Sequence, residues 1–347
     1  MTAGYRVGII GAGEIAYFHA AALATMPEAH LAAVCDLAPT ALVRFGDTFG
    51  VGARYDTLAS MLAGETLDVV IVATWGVHHA AAAEAVARTG RVRAILCEKP
   101  ISLTAEECRA MVAVARDNGV LLAEAFKFRH HPQHVRAKEV VDGGGIGTVR
   151  SIVSTFSSPL LATANHGNWR FDPARGGGST YDTACYNVHH ARHIVGAEPE
   201  RVFAVGQFDA ATGIDHTTAI LLEFPGGVTA QIATSYAYCF SQSVAIHGTA
   251  GALRMERAFN LRQPWRWTVP DQSVSFRVEH DDGTVETHAF PSVSDYVLQP
   301  RHLCACLTDG TPHRIPPEDS IGNMRVLDAV RASMTSGEPQ YLKERAS

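Results

Sequence analysis

The sequence has no Cys-x-x-Cys pair among its seven cysteines, no excess of positive charge and no long apolar run. Each absence excludes something. Unpaired cysteine spacings and an odd count argue against a zinc ribbon and against a complete disulfide framework, so a reducing, cytoplasmic setting is expected. A formal net charge of −6 has the wrong sign for a general nucleic-acid binder, which carries a basic patch. No stretch approaches the roughly 18 apolar residues of a membrane span, so no membrane partner is expected. The opening MTAGYRVGIIGAG enters a strand pattern at once and leaves no room for a signal peptide. Metal-ligand spacings are missing as well. His130-His131 and His189-His190 are adjacent pairs, neighbours on a helix do not share a face, and no H-E-x-x-H run occurs. No metal is expected.

What is present is core material. The 347 residues, 47% hydrophobic and 18% charged, suffice for two soluble domains. The apolar run Val7–Ile10 feeds the G-x-G-x-x-A turn Gly11-Ala12-Gly13-Glu14-Ile15-Ala16 and then an alanine-rich helix pattern to Leu23. Gly11 suits the tight turn, Gly13 allows a pyrophosphate near the backbone, and Ala16 allows close helix–strand packing. The N–H groups of Glu14 and Ile15 then open a helix toward the phosphates. A second strand, Leu31–Cys35, ends on Asp36. A carboxylate there accepts from the ribose 2′-hydroxyl of NAD and repels the 2′-phosphate of NADP, or else it caps the next turn. NAD is expected over NADP.

The alternation continues with strand Val69–Thr74, helix His79–Arg88, strand Arg93–Cys97, helix Thr104–Asn118 and strand Val120–Ala125. Repeated βα units mean a doubly wound parallel Rossmann sheet, with ligands beyond the C-terminal strand ends. Thr74-Trp75, Glu98-Lys99 and Phe126–Arg129 fall at those ends. From about residue 147 strands follow in a run: Val149–Phe156, Arg201–Phe208, Thr217–Phe224, Val228–Tyr236, Gln242–His247 and Ala252–Glu256. This pattern predicts an α+β domain with a large, open, mostly antiparallel sheet, helix-covered on one face. Helices over Ser294–Thr308 and Ser320–Thr335 close the chain. The expected division is 1–125 for the dinucleotide domain and 126–347 for a substrate and oligomerisation domain.

After Gly176-Gly177-Gly178 the pattern predicts a helix from Ser179 or Thr180 to Val195. At about 100° per residue, Asp182 at 0°, Tyr186 at about 40° and His189 at about −20° share one stripe, with His190 displaced to about 80°. A carboxylate, a phenol and an imidazole on one stripe are candidates for catalysis. Asn165, His166, Asn168 and Arg170 precede the glycines and read as hydroxyl-binding side chains or as a solvated loop.

Several of these motifs together resemble the glucose-fructose oxidoreductase and inositol dehydrogenase family, written Gfo/Idh/MocA. Glu98-Lys99-Pro100 is similar to its Glu-Lys-Pro signature, in which the lysine reaches the nicotinamide and the reacting hydroxyl and the proline peptide is often cis. The run from Gly176 to Pro199, with Glu124–Gln133, resembles the branch holding dimeric dihydrodiol dehydrogenase and the xylose dehydrogenases. The resemblance implies Tyr186 as proton carrier, assisted by Lys99, with Asp182 and His189 orienting hydroxyls or the lysine. It implies Glu98, Thr74 and His79 beside the cofactor, and Lys127, Arg170 and His190 beside the substrate. Two departures stand out. The family's Thr-Pro-Asn is Thr74-Trp75-Gly76, where Trp75 offers a stacking surface. Lys127 replaces a methionine and would place a cation toward the substrate, which would favour an acidic sugar.

The implied activity is hydride transfer between NAD and a sugar or cyclic polyol. The implied assembly is a homodimer or homotetramer, a second copy covering the open sheet face. A glycosidase that uses NAD transiently, and a non-catalytic sensor of NAD and sugar, are the competing functions. Intact Lys99 and Tyr186 speak against the sensor.

Overall fold

A computed structural model describes residues 4–164 and 167–342; Asn165 and His166 lie outside the described residues. The chain forms two compact units. One contains the residues up to His130 together with Arg266–Pro270 and Ser294–Ile321. The other contains His131–Trp265, Asp271–Val293 and the chain from Gly322 on. Two later segments thus rejoin the first unit after the chain has built most of the second.

The first unit is laid out by short apolar runs. Strands β1 (Tyr5–Ile10), β2 (Ala29–Cys35), β3 (Arg54–Tyr55), β4 (Val69–Val72), β5 (Ala94–Cys97) and β6 (Leu121–Glu124) pair in the order β3-β2-β1-β4-β5-β6. Every pairing is parallel. All four residues of β4 and of β5 are buried, as strands covered on both faces must be. Helices α1 (Glu14–Leu23), α2 (Pro39–Phe49), α3 (Leu58–Gly64), α4 (His79–Arg88) and α5 (Ala105–Asp117) supply the crossings. The core joins Val7, Ile9, Ile71 and Leu96 to Leu23 and Phe45, each worth roughly 1.5–3 kcal/mol when buried. The order reverses between β1 and β4, and there the strand ends leave a crevice for a ligand. The sequence pattern missed β3 and α3, because a two-residue strand and a seven-residue helix carry too little periodicity to read, and it passed over α2, whose proline start, apolar stripe and Gly50 cap were legible.

The second unit starts with α6 (Pro132–Asp142), whose N-cap is His131: its ring accepts the Gln133 N–H. Its sheet runs β14-β13-β12-β11-β7-β10-β9-β8-β15. These are β7 (Val149–Ser157), β8 (Arg201–Phe208), β9 (Asp215–Glu223), β10 (Thr229–Ser235), β11 (Val244–Gly248), β12 (Gly251–Met255), β13 (Val274–His280), β14 (Val285–Phe290) and β15 (Gln340–Tyr341). All pairs are antiparallel except β7 with β10. Alternation sends Val202, Ala204, Ile220, Leu222 and Ile232 inward. Val153 and Val205, of the opposite parity to the buried residues of their strands, stay 41% and 56% exposed, an apolar share of the open face. The sequence pattern omitted β13 to β15; β14 is a largely exposed strand at the sheet edge with no buried side to read.

The segment over 160–195 corrects the expected straight helix. Turn α7 (Leu160–Thr163) is followed by π-helical Thr180–Ala184, and only Cys185–Val195 (α8) is regular α-helix. The 100° step does not hold across a π turn, so the angle assigned between Asp182 and Tyr186 fails. Helix α9 (Asp295–Asp309) returns to the first unit and packs on α1, and α10 (Pro317–Ser336) follows. Among the described residues no helix is long and apolar enough to cross a membrane.

Candidate active site

The first unit brings its motif residues to one edge. Gly11 has φ +95°, and a Cβ there would meet the Ala73 carbonyl oxygen at 2.6 Å, so only glycine fits where β1 passes the end of β4. Gly13 is different. It is extended, exposed and surrounded by open space. A side chain at 13 would obstruct only what lies outside the protein. The first turn of α1 has no side-chain cap, leaving its N–H groups to an anion. Asp36 follows β2, its Oδ2 accepting the Ala12 N–H at 2.7 Å and its Oδ1 the Ala38 N–H at 2.8 Å. The capping reading of Asp36 is therefore real, and its carboxylate is held beside the glycine turn. These residues fit a dinucleotide.

Glu98 follows β5 and is buried. Its Oε1 lies 2.7 Å from Nε2 of the fully buried His19, and its Oε2 accepts the Lys99 N–H at 3.2 Å. Burial alone would raise this carboxyl's pKa, yet the hydrogen bond and charge of His19, with Lys99, hold it below the ordinary range. Lys99 is half-buried and its bond to Pro100 is cis. His79 is buried, with Nδ1 2.9 Å from the Pro100 carbonyl and Nε2 3.1 Å from the Thr74 carbonyl. Burial pushes its pKa down despite both carbonyls. His79 thus ties the loop after β4 to the loop after β5. Trp75 is 42% exposed on the first of those loops, its ring stacked on His78.

The expected role of Lys127 needs correction. Its ammonium is buried and lies 2.6 Å from Asp295 Oδ2 on α9, so it carries its own counter-ion within the unit. The missed partners here are His19 and Asp295. His19 stands one turn past Ile15 on the same helix, a position a helical projection reaches; nothing in the sequence joins Asp295 to Lys127.

In the second unit the triple glycine is fixed by a carboxylate that no motif announced. Asp215 Oδ2 accepts from Ser179 Oγ at 2.9 Å, Thr180 N at 2.7 Å, Thr180 Oγ1 at 2.8 Å and Thr218 Oγ1 at 3.1 Å. Gly178 has φ +112°, and a Cβ there would collide with Asp215 Oδ1. Asp182 accepts from Arg170 Nε at 2.8 Å and lies 3.3 Å from the Tyr236 hydroxyl, which donates to the Gly178 carbonyl at 3.0 Å. Tyr186, almost buried on α8, sits against Phe156 and Phe259 with ring centroids 5.5 and 5.6 Å away. His189 and His190 are buried on the same helix, His190 edge-on to His134 at 5.3 Å. The polar cluster Arg170–Asp182–Tyr236 and the aromatic seat of Tyr186 lie on consecutive turns of one segment.

Two family models match this chain. An oxidoreductase family with an NAD-binding Rossmann fold covers residues 5–126, and the GFO/IDH/MocA C-terminal domain covers residues 134–254. The chain belongs to the Gfo/Idh/MocA oxidoreductases. As a member of that family it is similar to D-xylose 1-dehydrogenase (NADP(+)) 2 of Haloferax volcanii, at 31% identity over 97% of this chain and 96% of the relative. It is also similar to trans-1,2-dihydrobenzene-1,2-diol dehydrogenase of Mus musculus, at 31% over 96% of this chain and 98% of the relative. Among solved Gfo/Idh/MocA-like structures, a 3-ketoreductase from Actinomadura kijaniata in complex with NADP and TDP-benzene superposes with a TM-score of 0.85. It is 28% identical, with 95% of this chain and 98% of that one covered. The expected family, branch and two-part fold class agree with these findings.

Proposed function

We propose that the protein is a dehydrogenase that exchanges a hydride between NAD and a hydroxyl-bearing carbon of a neutral sugar or cyclic polyol. The observation that carries this reading is Lys99, half-exposed on the ligand-receiving edge of the parallel sheet, with Glu98 beside it locked by His19. The named substrates of the relatives support the substrate class. The nicotinamide supplies the hydride chemistry when bound. This chain's part is to hold the substrate and move one proton.

Tyr186 takes the proton from the substrate hydroxyl on oxidation and returns it on reduction, a general acid–base role. Lys99 stabilises the phenolate by its positive charge. Asp182 and His189 orient hydroxyls, Arg170 holds the Asp182 carboxylate in place, and His190 closes the substrate side. Because Lys127 and Arg170 each have an acidic partner, a neutral substrate suits the site better than an acidic one. Asp36 favours NAD over NADP, although two of the relatives carry NADP in their names. A second copy of the chain covers Val153 and Val205 on the open sheet face, and a homodimer or homotetramer in light scattering is the expected result.

Incubation with NAD+ and a panel of sugars and polyols tests the main reading. NADH should accumulate with at least one of them. Net hydrolysis of a glycoside without NADH accumulation would instead assign a redox glycosidase, and binding with no turnover at all a sensor.

A further inference from the structure

Three histidines from separate stretches of the chain meet inside the first unit. His130 ends the one-turn helix Lys127–His130 after β6, His302 lies on α9, and His313 lies between α9 and α10. Their ring centroids are 5.1 Å (His130–His302), 5.3 Å (His130–His313) and 4.9 Å (His302–His313) apart. One nitrogen of each lies within 4.8 Å of the other two, the only such group of three ligand-type side chains among the described residues. His130 and His313 are buried and His302 half-buried. Both nitrogens of His130 and Nε2 of His313 have no hydrogen-bond partner among the described residues. Buried polar atoms in that condition are rare in native proteins and call for an explanation.

We propose that His130, His302 and His313 form a binding site for one divalent transition-metal ion, best matched to Zn2+. Three imidazoles and an open fourth position are a donor set this ion takes readily. Zinc–nitrogen bonds of about 2.0–2.1 Å in a tetrahedron need ligand nitrogens about 3.4 Å apart. The widest pair therefore has to close by roughly 1.4 Å, a side-chain adjustment. His313 Nδ1 lies 3.0 Å from the Ile315 carbonyl and 3.2 Å from the Ile315 N–H; the tautomer that donates to the carbonyl leaves Nε2 to the ion. Cys306 stands one turn beyond His302 on α9, with Sγ 3.6 Å from His302 Nε2, and lies outside the group of three.

Two features set the strength of the site. The Arg314 N–H donates to His302 Nε2 at 3.0 Å, so the ion competes with that amide or takes Nδ1. Arg129 and Arg314 add positive charge nearby, and among the described residues only Arg129 has a carboxylate, Asp319, at 3.9 Å. Binding should be reversible and weaker than in a closed structural zinc site. The expectation of no metal looked only at local spacings, the adjacent histidine pairs and the H-E-x-x-H pattern, whereas this site is assembled by the fold from residues up to 183 positions apart.

The test uses the full, tag-free chain, stripped with a chelator and titrated with Zn2+ or Co2+ at pH 7.5. One Zn2+ should bind per chain, and Co2+ should give the intense visible bands of a tetrahedral site. His302→Ala, at a half-buried position, should weaken binding by about 100-fold or more, beyond what the loss of an outer-shell partner does. X-ray absorption of the zinc-loaded wild type needs no variant, and should count three imidazole ligands. Absence of tetrahedral cobalt bands, unchanged Zn2+ affinity in His302→Ala, or fewer than three imidazoles would each overturn the proposal.

Discussion

The two sheets place chemistry in opposite ways. In the parallel sheet all strands point the same way, so the residues after β1, β2, β4 and β5 arrive together on one edge. A short motif after any strand is then informative by position alone. In the second sheet neighbouring strand ends point in opposite directions everywhere but at the β7–β10 pair, and no edge collects them. Its candidate residues are held instead by tertiary contacts such as Asp215 on the glycine turn and Arg170 on Asp182. Parallel order advertises a site through sequence, and antiparallel order conceals it.

The largest expected effects join the two. Tyr186→Phe and Lys99→Met should each lower kcat by about 10²–10⁴, the usual worth of general acid–base catalysis. The double variant should lose far less than the product of the two. Lys99→Met should also shift the alkaline limb of the pH–rate profile upward. Multiplicative losses would mean that the motif residue and the hidden one serve different steps.

A glycine from each sheet sharpens the contrast. Gly178→Ala should destabilise the fold by about 1–3 kcal/mol from backbone strain, with more from the collision with Asp215, read by urea unfolding. Gly13→Ala should leave the unfolding curve unchanged and weaken NAD binding, because a methyl there meets only the ligand. If both variants lose stability alike, Gly13 is structural too.

Smaller still is the cofactor preference. Asp36→Ala should narrow the ratio of kcat/KM for NAD over NADP by roughly tenfold, the scale of one hydrogen bond to a charged group at about 1.5–3 kcal/mol. A native preference for NADP would refute the role given to Asp36.

The smallest effect concerns His79. Its pKa is depressed in the fold, so below the unfolded value of about 6.5 the unfolded chain binds a proton that the native state resists. Its contribution is fully present above that pH and is lost as pH falls. His79→Gln should make stability decline less steeply between pH 7 and 5.5, by at most about 1.4 kcal/mol per pH unit.

Legibility followed the same division. Five of the six parallel strands, the glycine turn and the Glu98-Lys99-Pro100 signature were readable because buried runs and turn residues are local. The π turn over Thr180–Ala184 was not, since one extra residue per turn leaves no mark in composition. Nor were the acidic partners of Lys127 and Arg170. Lys127 and Asp295 are 168 positions apart and share no pattern, and Arg170 meets Asp182 only across the glycine turn.

The family resemblance implies Pro and Asn where this chain has Trp75 and Gly76, and the loop is nonetheless tied at its base. The reason lies in what His79 grips. Its ring nitrogens meet the main-chain oxygens of Thr74 and Pro100, and every residue type offers a main-chain oxygen. The tether is therefore blind to the side chains it spans. Mutation can exchange the tip of this loop for a new stacking surface without disturbing the turn that carries Lys99, so the cofactor contact can be retuned separately from the catalytic one.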